Sequence, residues 1–375
     1  MLLTMPVTVR SFAKINLGLC IGPNRPDGFH ELHTVYQTVA LHDVIRVELA
    51  RGSGVEIRCA DRRVPTDESN TCYRIVEHAM AGLKAKGRVI LEIEKRLPVQ
   101  GGMGGASGNA VAALLGVELA LKKQLPAAER LRIAAQVGSD VPLFLVGGTV
   151  LGMGRGEDVY PLADLPATPC VIATPEIGVS TPKAFGDWDS LVAQAEKPAK
   201  LGSAWTDEGV GPYVSGATGV TAGRDRTRPG RTPPKLTQPD PSDRMKEFSR
   251  KISAWLSNVS RKKTSGGRLS GVPAGGRGRA ETLLLDLVRT GIENDFEQVV
   301  FPQYPALRDV KCALEQAGAV YASLSGSGSA LYGLFKTRAG AEKAAARLRR
   351  EGIPAQATVT LTRQQYWKRL QVSDF

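Results

Sequence analysis

The chain has 375 residues, 42% of them hydrophobic, and a formal net charge of +12. That length suggests two domains with ordinary cores, and no apolar run reaches the roughly eighteen residues that span a bilayer. The charge is local: residues 224–279 hold 15 Lys and Arg against 4 Asp and Glu, so a chain built throughout to bind nucleic acid is not expected.

In chain order, the start MLLTMPVTVR lacks a basic region ahead of its apolar residues and does not read as a signal peptide. VTVRSFAKINLGLCIG alternates as a strand. Ile15, Leu17 and Leu19 share one face as core, while Phe12, Lys14 and Asn16 share the other. A charge and an amide in mid-strand fit either a polar cleft or the wet face of an edge strand. RPDGFHEL is a turn by its Pro-Asp-Gly content and delivers Phe29 and His30 at its exit. DVIRVELA, GVEIRC and RVILEIEKRLP read as strands, and NTCYRIVEHAMAGLKAK as a helix capped by Asn70.

LPVQGGMGGASGNAVAALLG then crowds five glycines ahead of a strong helix, 108–124. A helix N-terminus presents unpartnered N–H groups and a dipole that favours an anion, and glycines let a phosphate approach the backbone. The alternative is a tight strand-to-helix turn. The stretch is neither a Walker loop nor a GxGxxG turn. AAERLRIAAQVGSD is a helix closed by Gly138, and VPLFLVGGTVLGMG and PCVIATPEIGVST read as strands. Asp140 lies between that helix and Pro142, which favours an extended residue before it. Its carboxylate either caps a turn or projects into a cleft shared with Lys14.

Residues 186–280 are rich in Pro, Gly, Arg and Ser and read as a loosely held basic insertion. Inside it Met245, Phe248, Ile252, Trp255, Leu256 and Val259 keep helical spacing, with Ser242 or Asp243 as a cap. Beyond it ETLLLDLVRTGI and YPALRDVKCALEQAG are helices, AVYASLSGSGSALYGLF is a strand pair turning at Gly326 and Gly328, RAGAEKAAARLRREG is a helix and AQATVTLTR a last strand. The pattern is α+β in two halves. Cys20, Cys59, Cys72, Cys170 and Cys312 are scattered and unpaired, which suits free thiols in a reducing cytoplasm. His30, His33, His42 and His78 lack metal-ligand spacing, so no metal site is expected.

Four stretches, SFAKINLGL, RPDGFHELHTVYQ, KRLPVQGGMGGASGNAVAAL and GSDVPLFL, together with SLSGSGSALYGLF, resemble the GHMP kinase superfamily. Within it they look like the branch that phosphorylates the 2-hydroxyl of 4-diphosphocytidyl-2-C-methyl-D-erythritol in the non-mevalonate isoprenoid pathway. The resemblance implies a ribosomal-protein-S5-like N-terminal domain, placed at 1–165, and a ferredoxin-like C-terminal domain, placed at 166–375 and interrupted by the insertion at about 186–280. It implies Lys14 and Asp140 as catalytic residues. It implies an ATP loop of Pro98, Val99, Gln100, Gly101, Gly102, Met103, Gly104, Gly105, Ala106, Ser107 and Gly108. Substrate would be held by Asn16, Phe29, His30 and Phe185, with Phe29 and Phe185 on the two faces of cytosine and His30 at its edge. ATP would arrive with Mg²⁺, with no tightly bound cofactor, and the protein would be a monomer or weak homodimer. The loop departs from the family pattern: Gln100 replaces a glycine and Gly108 replaces the second serine of a pair, leaving Ser107 as the loop hydroxyl. Two rivals stand beside this reading. One is another GHMP kinase, acting on homoserine, a sugar or mevalonate. The other is a nucleic-acid-binding protein acting through 224–279, since basic Arg- and Gly-containing segments bind phosphate backbones.

Overall fold

β1 (Val7–Asn24) and β2 (His30–Ala50) form a long antiparallel ribbon. The computed structural model describes residues 6–99, 101–196, 241–264 and 291–372. Every residue of β1 from Ser11 to Gly22 is buried, because the strand has protein on both faces. Register shifts after Phe12 and after Asn16 kink it. β3 (Gly54–Cys59), β4 (Arg88–Glu94), β5 (Thr149–Met153) and β6 (Asp158–Pro161) extend this sheet beyond β2. α1 (Thr71–Gly82), α2 (Gly105–Leu121) and α3 (Ala127–Val137) cover it, and Phe12, Ile45, Leu91, Val111, Leu114 and Phe144 lie in the core between.

The second sheet runs β10–β7–β9–β8, from β7 (Pro169–Ala173), β8 (Tyr321–Leu324), β9 (Leu331–Leu334) and β10 (Ala355–Val359). It packs on α4 (Thr181–Glu196) and on helices Glu297–Gln303, Pro305–Gln316 and Arg338–Arg350. A third apolar cluster, with Ile15, Leu17, Val35, Tyr332 and Leu334, joins the two sheets. The two halves are thus α+β, as the sequence pattern implies. After β10 the chain returns to the first sheet. Helix Arg363–Leu370 and the short β11 (Gln371–Val372) pack on and pair with β1. A capping box of Thr362 and Gln365 starts that helix. Among the described residues no helix is long and apolar enough to cross a membrane, and all five cysteines are free.

Several expected elements differ. The strand expected over 141–154 begins as a 3-10 turn, Pro142–Leu145. Val141 is helical rather than extended, since Pro142 occupies the first turn of a helix, where its missing N–H costs nothing. Phe185, expected at the end of a strand, sits on α4, which runs through Glu196 with Trp188 fully buried. The insertion therefore does not begin at 186.

The larger correction concerns α5 (Pro241–Thr264). It begins at Pro241, so Ser242 and Asp243 lie in its first turn rather than capping it. It is not loosely held: Met245, Phe248 and Ile252 are buried in the cluster between the sheets. A Cβ at Gly18 of β1 would fall on Ile292 and touch Phe248, so the strand is bare where the helix covers it. The apolar stripe outweighs the basic composition around it, because burying such side chains is worth about 1.5–3 kcal/mol each. The side chains of Trp255, Leu256 and Val259, residues 281–290 of the helix expected over 281–292 and most of the basic segment 224–279, with its nucleic-acid reading, lie outside the described residues. Phe248→Ala is expected to cost about 3–5 kcal/mol in urea unfolding, the range for a buried Phe. A change within about 0.5 kcal/mol, as at a free surface, would mean that α5 is not docked.

Candidate active site

A buried ammonium organises the site. Lys14, on the kinked part of β1, is 3% exposed. Its Nζ lies 3.3 Å from Asp140 Oδ2, donates to Asn16 Oδ1 at 2.7 Å and sits 5.5 Å above the Tyr36 ring. Asn16 donates in turn to Thr34 Oγ1 at 2.8 Å, which donates to the Gly18 carbonyl, so the amide presents its oxygen to Lys14. The β1–β2 register sets Tyr36 opposite Asn16. Its hydroxyl donates to Asp140 Oδ1 at 2.9 Å. Burial, and then the Asp140 charge, push the Tyr36 phenol well above its ordinary value, so it remains a donor. Asp140 is held through one oxygen by Tyr36 and faces Lys14 with the other.

The glycine loop is fastened at both ends. Asp43, fully buried, accepts from Lys95 Nζ at 2.5 Å and from the N–H groups of Arg96 and Leu97 at 2.7 Å each, fixing the chain just before Pro98. The Lys14 N–H donates to the Met103 carbonyl at 3.0 Å. Gly104 precedes α2 with φ 67°, and no side chain caps the helix. A Cβ there would lie 2.9 Å from Phe144 Cζ and 3.0 Å from Lys14 Cγ. The first amides of α2 are thus open to an anion. Gly102, φ 70°, has no room for a side chain because the Ser325 and Gly328 carbonyls lie against it. The second glycine turn is therefore more than a hairpin end. Ser325 Oγ donates to the Gly102 carbonyl at 3.1 Å, and a Cβ at Gly326 would lie 3.5 Å from Lys14 Nζ. Asn294 fastens that turn by donating to the Leu324 and Gly326 carbonyls. Gly108 faces the other way: a Cβ would meet Ser11 Oγ at 2.8 Å, so a serine here would collide with β1.

Two cavities meet at this loop, with Gly102 and Gly104 lining both. The smaller, about 340 Å³, lies toward Pro65, Asn70, Thr71, Ile93 and Lys95. The larger, about 650 Å³, holds Lys14, Asn16, Asp140, Phe29, His30 and Phe185. At its far end His30 stacks on Phe185, centroids 4.7 Å apart and planes at 15°, while Phe185 meets Phe296 edge-on. His30 Nε2 lies 2.7 Å from Asp189 Oδ1. A carboxylate only accepts, so Nε2 carries a proton, and in the neutral ring Nδ1 is then the acceptor nitrogen. Phe29 is 51% exposed and lies under the Arg155 guanidinium, 5.0 Å from its ring centroid.

The residues singled out from sequence thus share one cleft and its loop, except Gln100, which lies outside the described residues, and Gly108, which faces β1. Phe29 and Phe185 line the same cavity, but His30 already covers a face of Phe185. Tyr36, Arg155, Asp189, Asn294 and the second cavity were not legible in advance. Tyr36 stands inside HELHTVYQ, where only the strand register gives it a partner.

Comparison with known proteins identifies the family. Residues 70–148 match the GHMP kinases N terminal domain and residues 280–354 the GHMP kinases C terminal domain. The chain is 34% identical over 330 residues to 4-diphosphocytidyl-2-C-methyl-D-erythritol kinase of Solibacter usitatus, covering 88% of this chain and 81% of that one. It is 30% identical to the protein of that name from Acaryochloris marina, covering 91% of each. Among solved structures it resembles a 4-(cytidine 5'-diphospho)-2C-methyl-D-erythritol kinase, with TM-score 0.61, 26% identity and coverage of 94% and 98%. It also shares its fold with the homoserine kinase of Cytophaga hutchinsonii, with TM-score 0.63, 18% identity and coverage of 96% of each chain.

Burying Lys14 costs stability, which yields an asymmetric expectation. Lys14→Met should leave unfolding free energy within about 1 kcal/mol of the parent or raise it, because an apolar isostere removes the desolvation cost. Asp140→Ala should lower it by about 1–3 kcal/mol, since it strands the ammonium; the range is discounted because Asp140 is 32% exposed. Urea unfolding of both variants checks this. A larger loss for Lys14→Met would make the ammonium a net stabiliser.

Proposed function

The chain belongs to the 4-diphosphocytidyl-2-C-methyl-D-erythritol kinase family, within the GHMP kinases, and from that premise we propose how its residues divide the work. The reaction is ATP-dependent phosphorylation of the 2-hydroxyl of 4-diphosphocytidyl-2-C-methyl-D-erythritol. One observation carries the assignment of roles: the Lys14–Asp140 pair, 3.3 Å apart, stands where the uncapped start of α2 meets the aromatic-lined cleft.

Phosphoryl transfer needs positioning and charge stabilisation more than covalent help. The α2 amides from Gly105 onward cradle the ATP phosphates, with adenine in the smaller cavity beside Asn70 and Lys95. Ser107 supplies the loop hydroxyl. Mg²⁺ comes with ATP as part of that substrate. The acceptor hydroxyl lies between Lys14 and Asp140. Asp140 Oδ2 takes its proton while the hydroxyl oxygen bonds the γ-phosphorus and the bond from that phosphorus to the β-phosphate bridge oxygen breaks, giving ADP. Lys14 offsets charge on the transferred group. Tyr36 keeps Asp140 in orientation, and Asn16 does the same for Lys14. At the other end cytosine stacks on Phe29 and meets the edge of His30, whose ring Phe185 backs. The acceptor Nδ1 of His30 suits the exocyclic amine of cytosine. Arg155, paired with Glu157, brings a guanidinium suited to the substrate's diphosphate. The active unit is a monomer or weak homodimer, in a reducing cytoplasm that suits its free thiols.

A coupled assay of ADP release should give turnover with the cytidylyl substrate and none with homoserine or mevalonate. In the same assay Asp140→Asn should cut kcat by about 10²–10⁴-fold with the ATP KM little changed. Near-normal turnover would remove Asp140 as the base.

Phe29→Ala and Phe185→Ala bear on recognition. A base stacked on an aromatic ring gains about 1–3 kcal/mol. Losing Phe29 should therefore raise the KM for the cytidylyl substrate about ten- to a hundred-fold, with the ATP KM constant. Phe185→Ala should act in the same direction through His30. An unchanged cytidylyl KM with a lowered melting temperature would make Phe185 a packing residue only.

A further inference from the structure

We propose that Arg244 on α5, the helix inside the basic insertion, is a positioning residue for the base pocket: by lying over Trp188 and pairing with Asp295 it holds α4, and with it Phe185 and Asp189, against His30. This rests on the reading of that pocket as the cytosine site.

The Arg244 guanidinium lies 4.9 Å from the Trp188 ring centroid and pairs through its Nη2 with Asp295 Oδ1. Trp188 is 1% exposed and Asp295 4%. Residues 185, 188 and 189 follow i, i+3, i+4 spacing on α4, so a grip on Trp188 sets the rotation of the helix that carries Phe185 and Asp189. Asp295 is tied to the other side of the pocket. Its Oδ2 accepts from the Ile21 N–H at 2.8 Å, and its own N–H donates to the Leu19 carbonyl at 2.9 Å, both on β1 ahead of the Phe29–His30 turn. Its neighbours Asn294 and Phe296 hold the second glycine turn and the edge of Phe185. Arg244 therefore closes a triangle of α4, β1 and residues 294–296.

Other polar ties on α4 are fewer at its pocket end: Thr181 and Ser327 share a hydroxyl hydrogen bond of 2.7 Å where α4 meets the second glycine turn. Lys183, Asp187 and Gln303 bond one another on its outer face, where solvent discounts such pairs. A guanidinium spreads its charge over a rigid plane, so it covers more of the indole face than a compact ammonium does while its edge N–H groups point at the carboxylate.

The test uses the full chain. Arg244→Met removes stack and charge together. Arg244→Lys keeps the charge for Asp295. Arg244→Met with Asp295→Asn removes charge and counter-charge at once and guards against simple misfolding. Arg244→Met should raise the KM for the cytidylyl substrate about ten-fold or more, with kcat and the ATP KM within about three-fold, as expected when a binding group is displaced and the reacting groups are not. The double variant should regain melting temperature yet keep the raised KM, and Arg244→Lys should fall between. Hydrogen exchange of the α4 amides in the ligand-free chain should quicken in Arg244→Met. A parent chain that does not turn over the cytidylyl substrate would sink the functional reading alone, and the exchange measurement then decides whether Arg244 orders α4. Unchanged exchange, or a lowered melting temperature with an unchanged KM, overturns the proposal, as does a KM that recovers in the double variant.

Discussion

An ammonium buried to 3% exposure must be compensated, and the architecture of the site follows from that requirement. Lys14 can lie there only because Asp140 faces it, Asn16 accepts from it and the Tyr36 ring lies beneath it. Each partner comes from a different segment, so the kinks in β1, the β1–β2 register and the end of α3 must agree. The same side chain limits the glycine loop. Gly104 must be bare because Lys14 and Phe144 occupy the space of a side chain, and that bareness leaves the start of α2 open to phosphate. Charge stabilisation at the reacting centre and access to the phosphates are thus two consequences of one buried group.

The altered glycine loop is compatible with this arrangement. At Gly108 the space a side chain would take is filled from β1 by Ser11. The loop keeps one hydroxyl, Ser107, at the first turn of α2. Its position is maintained from outside by Asp43 before it, by the Lys14 N–H of β1, which donates to the Met103 carbonyl, and by the second glycine turn against Gly102. Rigidity of the cradle therefore depends on backbone contacts spread over both domains rather than on loop side chains.

The basic insertion is partly absorbed into the folded body. α5 adds Met245, Phe248 and Ile252 to the apolar layer between the sheets, and Arg244 to the ties behind the aromatic end of the cleft. The C-terminal segment crosses back likewise to pair with β1. β1 is thus clamped by elements from the whole length of the chain, which suits a strand that must hold a costly charge in a fixed orientation.

By itself the sequence determined whatever depends on neighbours along the chain. The period of β1, the cap of α1 at Asn70, the glycine-to-helix junction and Lys14 with Asp140 as chemical candidates were legible, because side-chain alternation and capping act within a few residues. Only the tertiary structure decided which polar groups meet. Tyr36 reaches Asp140 through strand register across 104 residues. Asp189 reaches His30 across 159. The second glycine turn becomes part of the loop's support only when β8 and β9 are placed against β1. Composition misjudged α5 because average polarity over the insertion conceals three apolar side chains on one face. Their fate depends on whether a bare surface such as Gly18 awaits them, and that surface exists only once the chain has folded.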